Sequence, residues 1–273
     1  MLKQRVITAL VLAITVVGSV LLADHRWVVV LFTVILFAAS YELLALTIKT
    51  GLVAGVVIAA LIAVLFWITS ESSGIRVNFY QSFTGLLFWV AIFGFLTRYR
   101  FSGSWSLPVR IFQLLLGISL LWICVHGLVF IHGNYEQGGW ILLYLLSLVW
   151  VADIGAYFSG RKFGKHQLAP GISPAKTWEG VAGGIILNTG WIIVVFLISG
   201  GWAIAFWPFV LIGLATSVVS VVGDLYESIL KREAAVKDSG KLLPGHGGVL
   251  DRVDSVIAAT PVFVAGLYIA GAV

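Results

Sequence analysis

The chain has 273 residues, of which 60% are hydrophobic and only 11% are charged, and its formal net charge is +5. With a mean hydropathy of +1.05, this composition excludes an ordinary soluble globular protein and is typical of a chain that crosses a membrane several times. The single cysteine, Cys124, excludes an intrachain disulfide and a cysteine-based metal site.

Apolar stretches of roughly the length that spans a bilayer, about 20 residues, divide the chain into about nine predicted transmembrane helices. In chain order they are Val6–Ala23, Trp27–Ile48, Gly51–Thr69, Gln81–Leu96, Ile111–Ile131, Trp140–Tyr157, Val181–Ser199, Trp202–Val222 and Val256–Ala272. The expected fold class is therefore all-α, a polytopic integral membrane protein. No cleavage pattern of small residues follows Ala23, so we expect the first stretch to be retained.

The distribution of cations predicts the orientation of these helices. With the N-terminus in the cytoplasm and the C-terminus on the opposite side, 15 of the 17 Lys and Arg residues fall on the cytoplasmic face, as the positive-inside rule requires. Only Arg26 and Arg76 fall on the other face. Because the cations line one membrane face, the basic pI of about 9.4 favours lipid headgroups and nucleotide phosphates as partners over nucleic acid.

Ionisable residues are concentrated in the second half of the chain. We expect residues 1–139 to form a transmembrane scaffold and residues 140–273 to carry the chemistry. Glu42, inside the second apolar stretch, is the exception in the first half. A carboxylate within a bilayer is a functional candidate, although Glu42 lies near Lys49 in the sequence and could simply extend to the membrane interface.

The first polar group follows the sixth apolar stretch. Asp153 lies near the end of that stretch, and Ser173, Lys176 and Thr177 precede a helix that is predicted to open at Trp178. A cation, hydroxyls and backbone N–H groups at a helix N-terminus form a site that suits phosphate. Alternatively, the cations that flank the stretch only set topology and Ser173 is a plain helix cap.

The second polar group ends the eighth apolar stretch. Asp224, Glu227 and Lys231 stand at i, i+3 and i+7, so they share one helical face, with Ser228 beside them. Two carboxylates and a lysine at a membrane surface suit a divalent cation with bound phosphate. A surface salt bridge between Glu227 and Lys231 is the alternative.

The third polar group combines charged side chains with glycines around one histidine. Its members are Lys237, Asp238, His246, Gly247, Gly248, Asp251, Arg252 and Asp254. Glycines beside His246 allow positive φ and a close approach of the backbone, so the turn could present N–H groups and an imidazole to phosphate. Asp251 and Asp254 would point the same way from one helical turn, although Asp254 could serve only the helix dipole.

These residues resemble the signature of the phosphatidate cytidylyltransferase family. The matching elements, in order and spacing, are Ser228-x-x-Lys231-Arg232, Lys237-Asp238, His246-Gly247-Gly248 and Asp251-Arg252-x-Asp254. The segment from Ser173 to Gly180 and the region of Asp153 are also similar, so the resemblance covers about Val151–Ser255. It implies the synthesis of CDP-diacylglycerol and pyrophosphate from CTP and phosphatidic acid, at the cytoplasmic side of a bacterial cytoplasmic (inner) membrane.

The same resemblance implies roles for individual residues. Asp224 and Asp251 would hold Mg²⁺, with a monovalent cation such as K⁺ as a second candidate ion, and Asp153, Glu227 and Asp254 are weaker candidate ligands. The implied catalytic residues are Lys176, Asp224, Lys231, Asp238, His246, Asp251 and Arg252. The implied substrate-binding residues are Ser173, Lys176, Thr177, Ser228, Lys231, Arg232, Lys237, His246, Gly247, Gly248 and Arg252.

Two other functions remain open at the level of the sequence. A CTP-dependent kinase of a lipid alcohol would use a hydroxyl nucleophile, and Asp238 would then matter more as a base. An ion-coupled transporter would use Asp153, Asp224 and Asp251 as a cation path, but these acids lie at the ends of the apolar stretches on one predicted face. The oligomeric state is also open, with a homodimer among the options.

Overall fold

The computed structural model describes residues 2–70, 74–101, 103 and 105–272, with the side chains of residues 2–6 excepted. Over these residues the chain forms nine α-helices, a β-hairpin and a short 3-10 turn. The helices are α1 Leu2–Leu22, α2 His25–Ile48, α3 Leu52–Ser70, α4 Ile75–Leu96, α5 Leu107–Asn134, α6 Gly138–Phe163, α7 Trp178–Ser199, α8 Phe206–Glu233 and α9 Leu250–Ile269. The hairpin strands are β1 Gln167–Ala169 and β2 Ser173–Thr177, and the turn is Gly200–Ala203.

The predicted all-α membrane architecture is confirmed. Within the described residues, eight helices, α2 to α9, are long and apolar enough to cross a membrane, and α1 adds a shorter described apolar segment, Ile7–Leu22. The chain is therefore a polytopic integral membrane protein.

Helix ends differ from the ends of the apolar stretches where polar residues continue a helix. The helix α8 runs to Glu233, beyond the end of the apolar stretch at Val222, as the helical spacing of Asp224, Glu227 and Lys231 predicts. Its predicted start at Trp202 is wrong, since Gly200 and Gly201 have positive φ and Trp202 has φ 50°. Glycine adopts such φ values at little cost, and the chain therefore turns there before α8 begins.

The chain divides into two compact units. The first comprises Met1–Gly74, Ser102–Leu143 and Leu230–Asp254, and the second comprises Ile75–Phe101, Tyr144–Ile229 and Ser255–Val273. The units interleave along the chain, and the predicted division into a scaffold and a catalytic half stays a prediction.

In the first unit, α2 packs closely against α5. A Cβ atom on Gly117 of α5 would come 2.7 Å from Leu43 Cδ2 of α2, so the absence of a side chain on Gly117 permits the close packing. Leu43 is almost completely buried, and Cys124 is buried as a free thiol. This packing fixes α2, which carries Glu42.

In the second unit, α6 and α7 approach each other through small residues. A Cβ atom on Gly180 would come 2.9 Å from the Ala156 carbonyl oxygen, and one on Gly184 would come 2.7 Å from that of Ala152. Small residues at four-residue spacing allow such backbone contact between membrane helices. The hairpin that joins α6 to α7 therefore starts from two closely packed helices.

A buried polar network supports the same unit at membrane depth. Asn188 Nδ2 of α7 donates to the Leu148 carbonyl oxygen at 2.7 Å and to Ser217 Oγ at 2.6 Å, and Trp191 Nε1 donates to Ser147 Oγ at 2.8 Å. These hydrogen bonds link α6, α7 and α8. Polar side chains inside a bilayer are normally paired in this way.

Candidate active site

The hairpin of β1 and β2 brings Lys176 to Asp224, a predicted metal ligand in the second unit. Strand β1 pairs antiparallel with β2, with Gln167 opposite Thr177 and Ala169 opposite Ser173. Lys176 Nζ lies 2.5 Å from Asp224 Oδ2, and the two side chains are 25% and 29% exposed. The ion pair is therefore accessible enough for a substrate phosphate to compete with the carboxylate for the lysine.

The predicted start of a helix at Trp178 is confirmed. Thr177 is the N-cap, and its Oγ1 accepts a hydrogen bond from Gly180 N at 3.1 Å. Ser173 lies at the start of β2, so the interpretation of Ser173 as the helix cap is wrong. Lys176 therefore directly precedes the capping residue, where the positive end of the helix dipole favours an anion.

Glu179 anchors the segment that enters the hairpin. Its Oε2 accepts hydrogen bonds from Lys165 N at 3.1 Å and His166 N at 3.2 Å, and its Oε1 lies 2.6 Å from His166 Nδ1. Glu179 was not among the residues predicted for the site. An acidic residue in the first turn of a helix, close to backbone N–H groups, is the signal that could have indicated one.

The residues predicted to share a face of the eighth transmembrane helix all lie in α8. Ser228 Oγ is 3.4 Å from Asp224 Oδ1, a contact between residues four apart on a helix. Glu227 is only 3% exposed, so it lies in the interior of the protein and not at the surface. Lys231 pairs with Asp251, at 2.7 Å between Nζ and Oδ1.

Asp251 is the centre of the polar group in the first unit. Besides Lys231, it binds the segment between α8 and α9, because its Oδ2 accepts hydrogen bonds from Ser239 N at 2.9 Å, Ser239 Oγ at 2.9 Å and Gly248 N at 2.8 Å. The Lys231 and Asp251 side chains are 14% and 5% exposed. A buried ion pair is stable when further hydrogen bonds satisfy the charged groups, and Asp251 meets that condition.

The predicted glycine turn around His246 is confirmed. Gly245 and Gly247 have φ of 76° and 84°, and Leu243 N donates to the Gly247 carbonyl oxygen at 3.0 Å. A Cβ atom on Gly247 would come 2.8 Å from Asp251 Oδ2, so glycine is required both for the backbone conformation and for the close approach. His246 Nδ1 is buried without a hydrogen-bond partner in the described part of the chain.

Glu42 contacts the same polar group. Its Oε2 accepts a hydrogen bond from Leu250 N at 2.8 Å and lies 3.3 Å from Ser239 Oγ, whose single hydrogen it shares with Asp251 Oδ2. The residue is 2% exposed, so its carboxylate lies inside the protein against this polar group, whereas its depth relative to the membrane interface stays a prediction. The intramembrane carboxylate was the signal in the sequence, but its partners lie far away along the chain.

The remaining predicted site residues differ in exposure. Asp153, Arg232, Lys237, Asp238 and Arg252 are exposed, Asp254 is half-buried and Gly248 is buried. The exposed side chains can be reached by a substrate, and their individual roles stay predictions.

Asp224 and Asp251 each carry oxygen atoms of the kind that Mg²⁺ binds. The described residues contain no cluster of three or more acidic, histidine or cysteine side chains that could hold a metal ion by themselves. Mg²⁺ commonly uses one or two carboxylates and takes its other ligands from water and substrate phosphates. Asp224 is partly exposed and can offer oxygen ligands. In Asp251 three donors occupy Oδ2, so Oδ1 is the oxygen that remains to be shared with a metal.

Each unit contains a lysine–aspartate pair, and the capped start of α7 and the glycine turn at His246 are features that suit phosphate groups. A sequence model of the cytidylyltransferase family matches residues 3–270. The chain therefore belongs to the cytidylyltransferase family and is a nucleotidyltransferase.

Similar proteins extend along nearly the whole chain. A phosphatidate cytidylyltransferase of Pseudomonas aeruginosa is 38% identical over 277 residues, which cover 99% of this chain and 98% of the relative. One of Haemophilus influenzae is 36% identical over 281 residues, covering 96% and 97%. One of Staphylococcus saprophyticus is 34% identical over 262 residues, covering 95% and 96%.

Proposed function

We propose that the chain is a phosphatidate cytidylyltransferase, which converts CTP and phosphatidic acid to CDP-diacylglycerol and pyrophosphate. The observation that carries this proposal is the near full-length similarity to several proteins of that name. The lysine–aspartate pairs supply the groups that such a reaction needs.

The reaction joins two polyanions. An oxygen of the phosphatidate phosphate forms a bond to the α-phosphorus of CTP, and the bond from that phosphorus to the oxygen bridging to the β-phosphorus breaks. Pyrophosphate leaves with the bonding electrons. Because the lipid phosphate is already anionic, no strong base is needed, and the barrier comes mainly from charge repulsion and alignment.

Lys176 and Lys231 are the residues best placed to lower that barrier. Each ammonium is held by a carboxylate, Lys176 by Asp224 and Lys231 by Asp251, and is thus ordered before substrate binds. An ordered cation stabilises developing phosphate charge with little reorganisation during the reaction. Asp224 and Asp251 each offer carboxylate oxygens that would bind Mg²⁺, which when bound neutralises phosphate charge; K⁺ remains a second candidate ion.

The location and orientation of the enzyme in the membrane are also part of the proposal. We infer that it acts in the bacterial cytoplasmic (inner) membrane with the charged loops on the cytoplasmic side, because the predicted topology puts 15 of 17 cations there. The acyl chains of substrate and product then stay in the bilayer throughout. A homodimer stays compatible with this proposal.

Position-specific labelling of CTP tests the reaction. Purified protein should transfer label from [α-³²P]CTP into a lipid extract that contains phosphatidate, and label from [γ-³²P]CTP should appear only in pyrophosphate in equal amount. Label from the γ position in the lipid, with release of CDP, would instead establish the lipid-alcohol kinase. Cation uptake into vesicles without nucleotide turnover would establish the transporter.

A further inference from the structure

We propose that Glu42 is a positioning residue for the reaction: it holds the charged loop, residues 234–249 between α8 and α9, in the arrangement in which Asp251 and Lys231 meet substrate. The inference rests on the proposed function, because that function is what makes Asp251 and Lys231 residues that meet substrate. It assigns a part in catalysis to α2, in the half of the chain that the sequence marks as scaffold.

The contacts of Glu42 lie at the two ends of the segment formed by residues 239–250. Its Oε2 lies 3.3 Å from Ser239 Oγ, near the middle of the charged loop, and accepts a hydrogen bond from Leu250 N, the first residue of α9. One carboxylate oxygen therefore joins two points that are eleven residues apart in the sequence. Since α2 is packed into the first unit, Glu42 can act as a fixed point for a segment that has little regular structure of its own.

Two glycines surround the carboxylate. A Cβ atom on Gly240 would clash with Glu42 Oε1, and one on Gly248 would clash with Glu42 Oε2 and Ser239 Oγ. Neither glycine has the positive φ that would by itself explain glycine there. The loop is thus shaped around Glu42, and close approach to this carboxylate accounts for glycine at both positions.

The Ser239 hydroxyl connects Glu42 with the catalytic carboxylate. Its Oγ lies 2.9 Å from Asp251 Oδ2 and 3.3 Å from Glu42 Oε2, and it also receives a hydrogen bond from Asp251 N at 3.3 Å. The same Asp251 binds Lys231 through its other oxygen. A displacement of Glu42 therefore shifts Ser239, then Asp251 and then the lysine.

The burial of Glu42 indicates that its hydrogen bonds to the charged loop are the reason for a carboxylate at this position. A carboxylate within a membrane helix is costly to retain, and its Oε1 is buried without a hydrogen-bond partner in the described residues. An apolar residue at this position would avoid that cost but leave Leu250 N without its acceptor. The hydrogen bonds to the loop are what the carboxylate provides.

Three variants test the inference in the full-length protein in nanodiscs. Glu42→Leu keeps the approximate size but removes the acceptor, whereas Glu42→Gln keeps a carbonyl oxygen for Leu250 N and Ser239. Leu43→Ala is the matched control, because Leu43 is the next residue of α2, is buried and packs against Gly117 of α5, so this variant weakens the packing of α2 but keeps the Glu42 carboxylate. Two quantities are measured: hydrogen–deuterium exchange of residues 239–250 without ligands, and the KM for CTP.

We expect Glu42→Leu to raise both amide exchange in this segment and the KM for CTP, each by about tenfold, the effect of losing one hydrogen bond to a charged group. Glu42→Gln should stay within about threefold of the wild type, since the acceptor is kept. Leu43→Ala should lower the melting temperature and the active fraction but leave KM unchanged, because KM does not depend on how many molecules are active.

The inference is overturned if Glu42→Leu behaves like Leu43→Ala, with exchange and KM both unchanged. If Glu42→Leu does not fold, Ser239→Ala carries the test, since it removes only the hydroxyl between the two carboxylates. It should raise exchange and KM, and no change in either would reject the connection. The exchange measurement needs no CTP, so an inactive wild type would refute the proposed function while leaving the anchoring of the loop to be decided separately.

Discussion

Lys176 and Asp224 form an ion pair that joins β2 to α8, with 2.5 Å between Nζ and Oδ2. Because both side chains are more than a fifth exposed, solvent screening limits what the pair contributes to folding, typically about 0–1 kcal/mol for exposed pairs. The Lys231–Asp251 pair is more buried and has additional hydrogen bonds. The two pairs should therefore respond differently to the same kind of substitution.

We expect Asp224→Asn to abolish turnover with little loss of stability. The amide keeps the shape but removes the negative charge that would hold Mg²⁺ and order Lys176. The measurements are turnover at saturating Mg²⁺ and the thermal unfolding midpoint in detergent. Retention of more than about a tenth of wild-type turnover, less than 1.4 kcal/mol in barrier height, would remove Asp224 from the metal site.

Asp251→Asn should abolish turnover and also destabilise the protein. It removes the negative charge from the buried Lys231–Asp251 ion pair, and breaking a buried pair in this way typically costs about 3–5 kcal/mol. The unfolding midpoint of this variant should fall clearly below that of Asp224→Asn. Equal midpoints for the two variants would contradict the distinction between a partly exposed pair and a buried pair.

Lys176→Gln should reduce kcat/KM far more than Lys162→Gln, by about 100-fold or more, as for loss of a cation that stabilises the transition state. Lys162 is an exposed residue at the end of α6, with its Nζ 5.2 Å from the centroid of the Phe163 ring. It is a matched control because it lies near the same hairpin in sequence. Similar mild losses for both would mean that Lys176 is only a flanking charge.

Local sequence patterns predicted the local features of the site. The helix start at Trp178, the helical spacing of Asp224 and Lys231 and the positive φ of Gly247 each depend on residues within one or two turns of the chain. The contact of Glu42 with Leu250 joins residues 208 positions apart, and no local pattern specifies such a partner. The hairpin was also missed, since β1 has only three residues, too few to show the alternation of a strand.

Gly184→Leu should destabilise the second unit. A Cβ atom at this position meets the backbone oxygen of Ala152 at 2.7 Å, and a backbone group cannot rotate away as a side chain does. Overpacking of this kind typically costs about 1–3 kcal/mol. Gly190→Leu in the same helix is the matched control, because a Cβ atom there has nothing within 4 Å. Thermal unfolding should separate the two variants, and equal midpoints would contradict close α6–α7 packing.

Removal of divalent metal should silence the enzyme reversibly. Excess EDTA should abolish the formation of labelled CDP-diacylglycerol, and added Mg²⁺ should restore it, because Asp224 and Asp251 supply too few ligands for a cage that retains the ion against a chelator. Ca²⁺ should restore much less activity. Its larger radius and looser coordination would misplace the α-phosphorus relative to the attacking oxygen, and a displacement of about 1 Å can cost roughly 100-fold in rate.

Amide exchange of the charged loop is the control that separates an effect of metal on substrate from an effect on folding. Amide exchange of residues 239–250 should be nearly the same in EDTA and in Mg²⁺ when CTP is absent, since Asp251 Oδ2 is already occupied by Ser239 and Gly248. Loss of activity in EDTA together with an unchanged loop would place the metal effect on substrate and not on folding. Full activity in excess EDTA would reject the assignment of Asp224 and Asp251 as metal ligands, because neither would then meet phosphate through an ion.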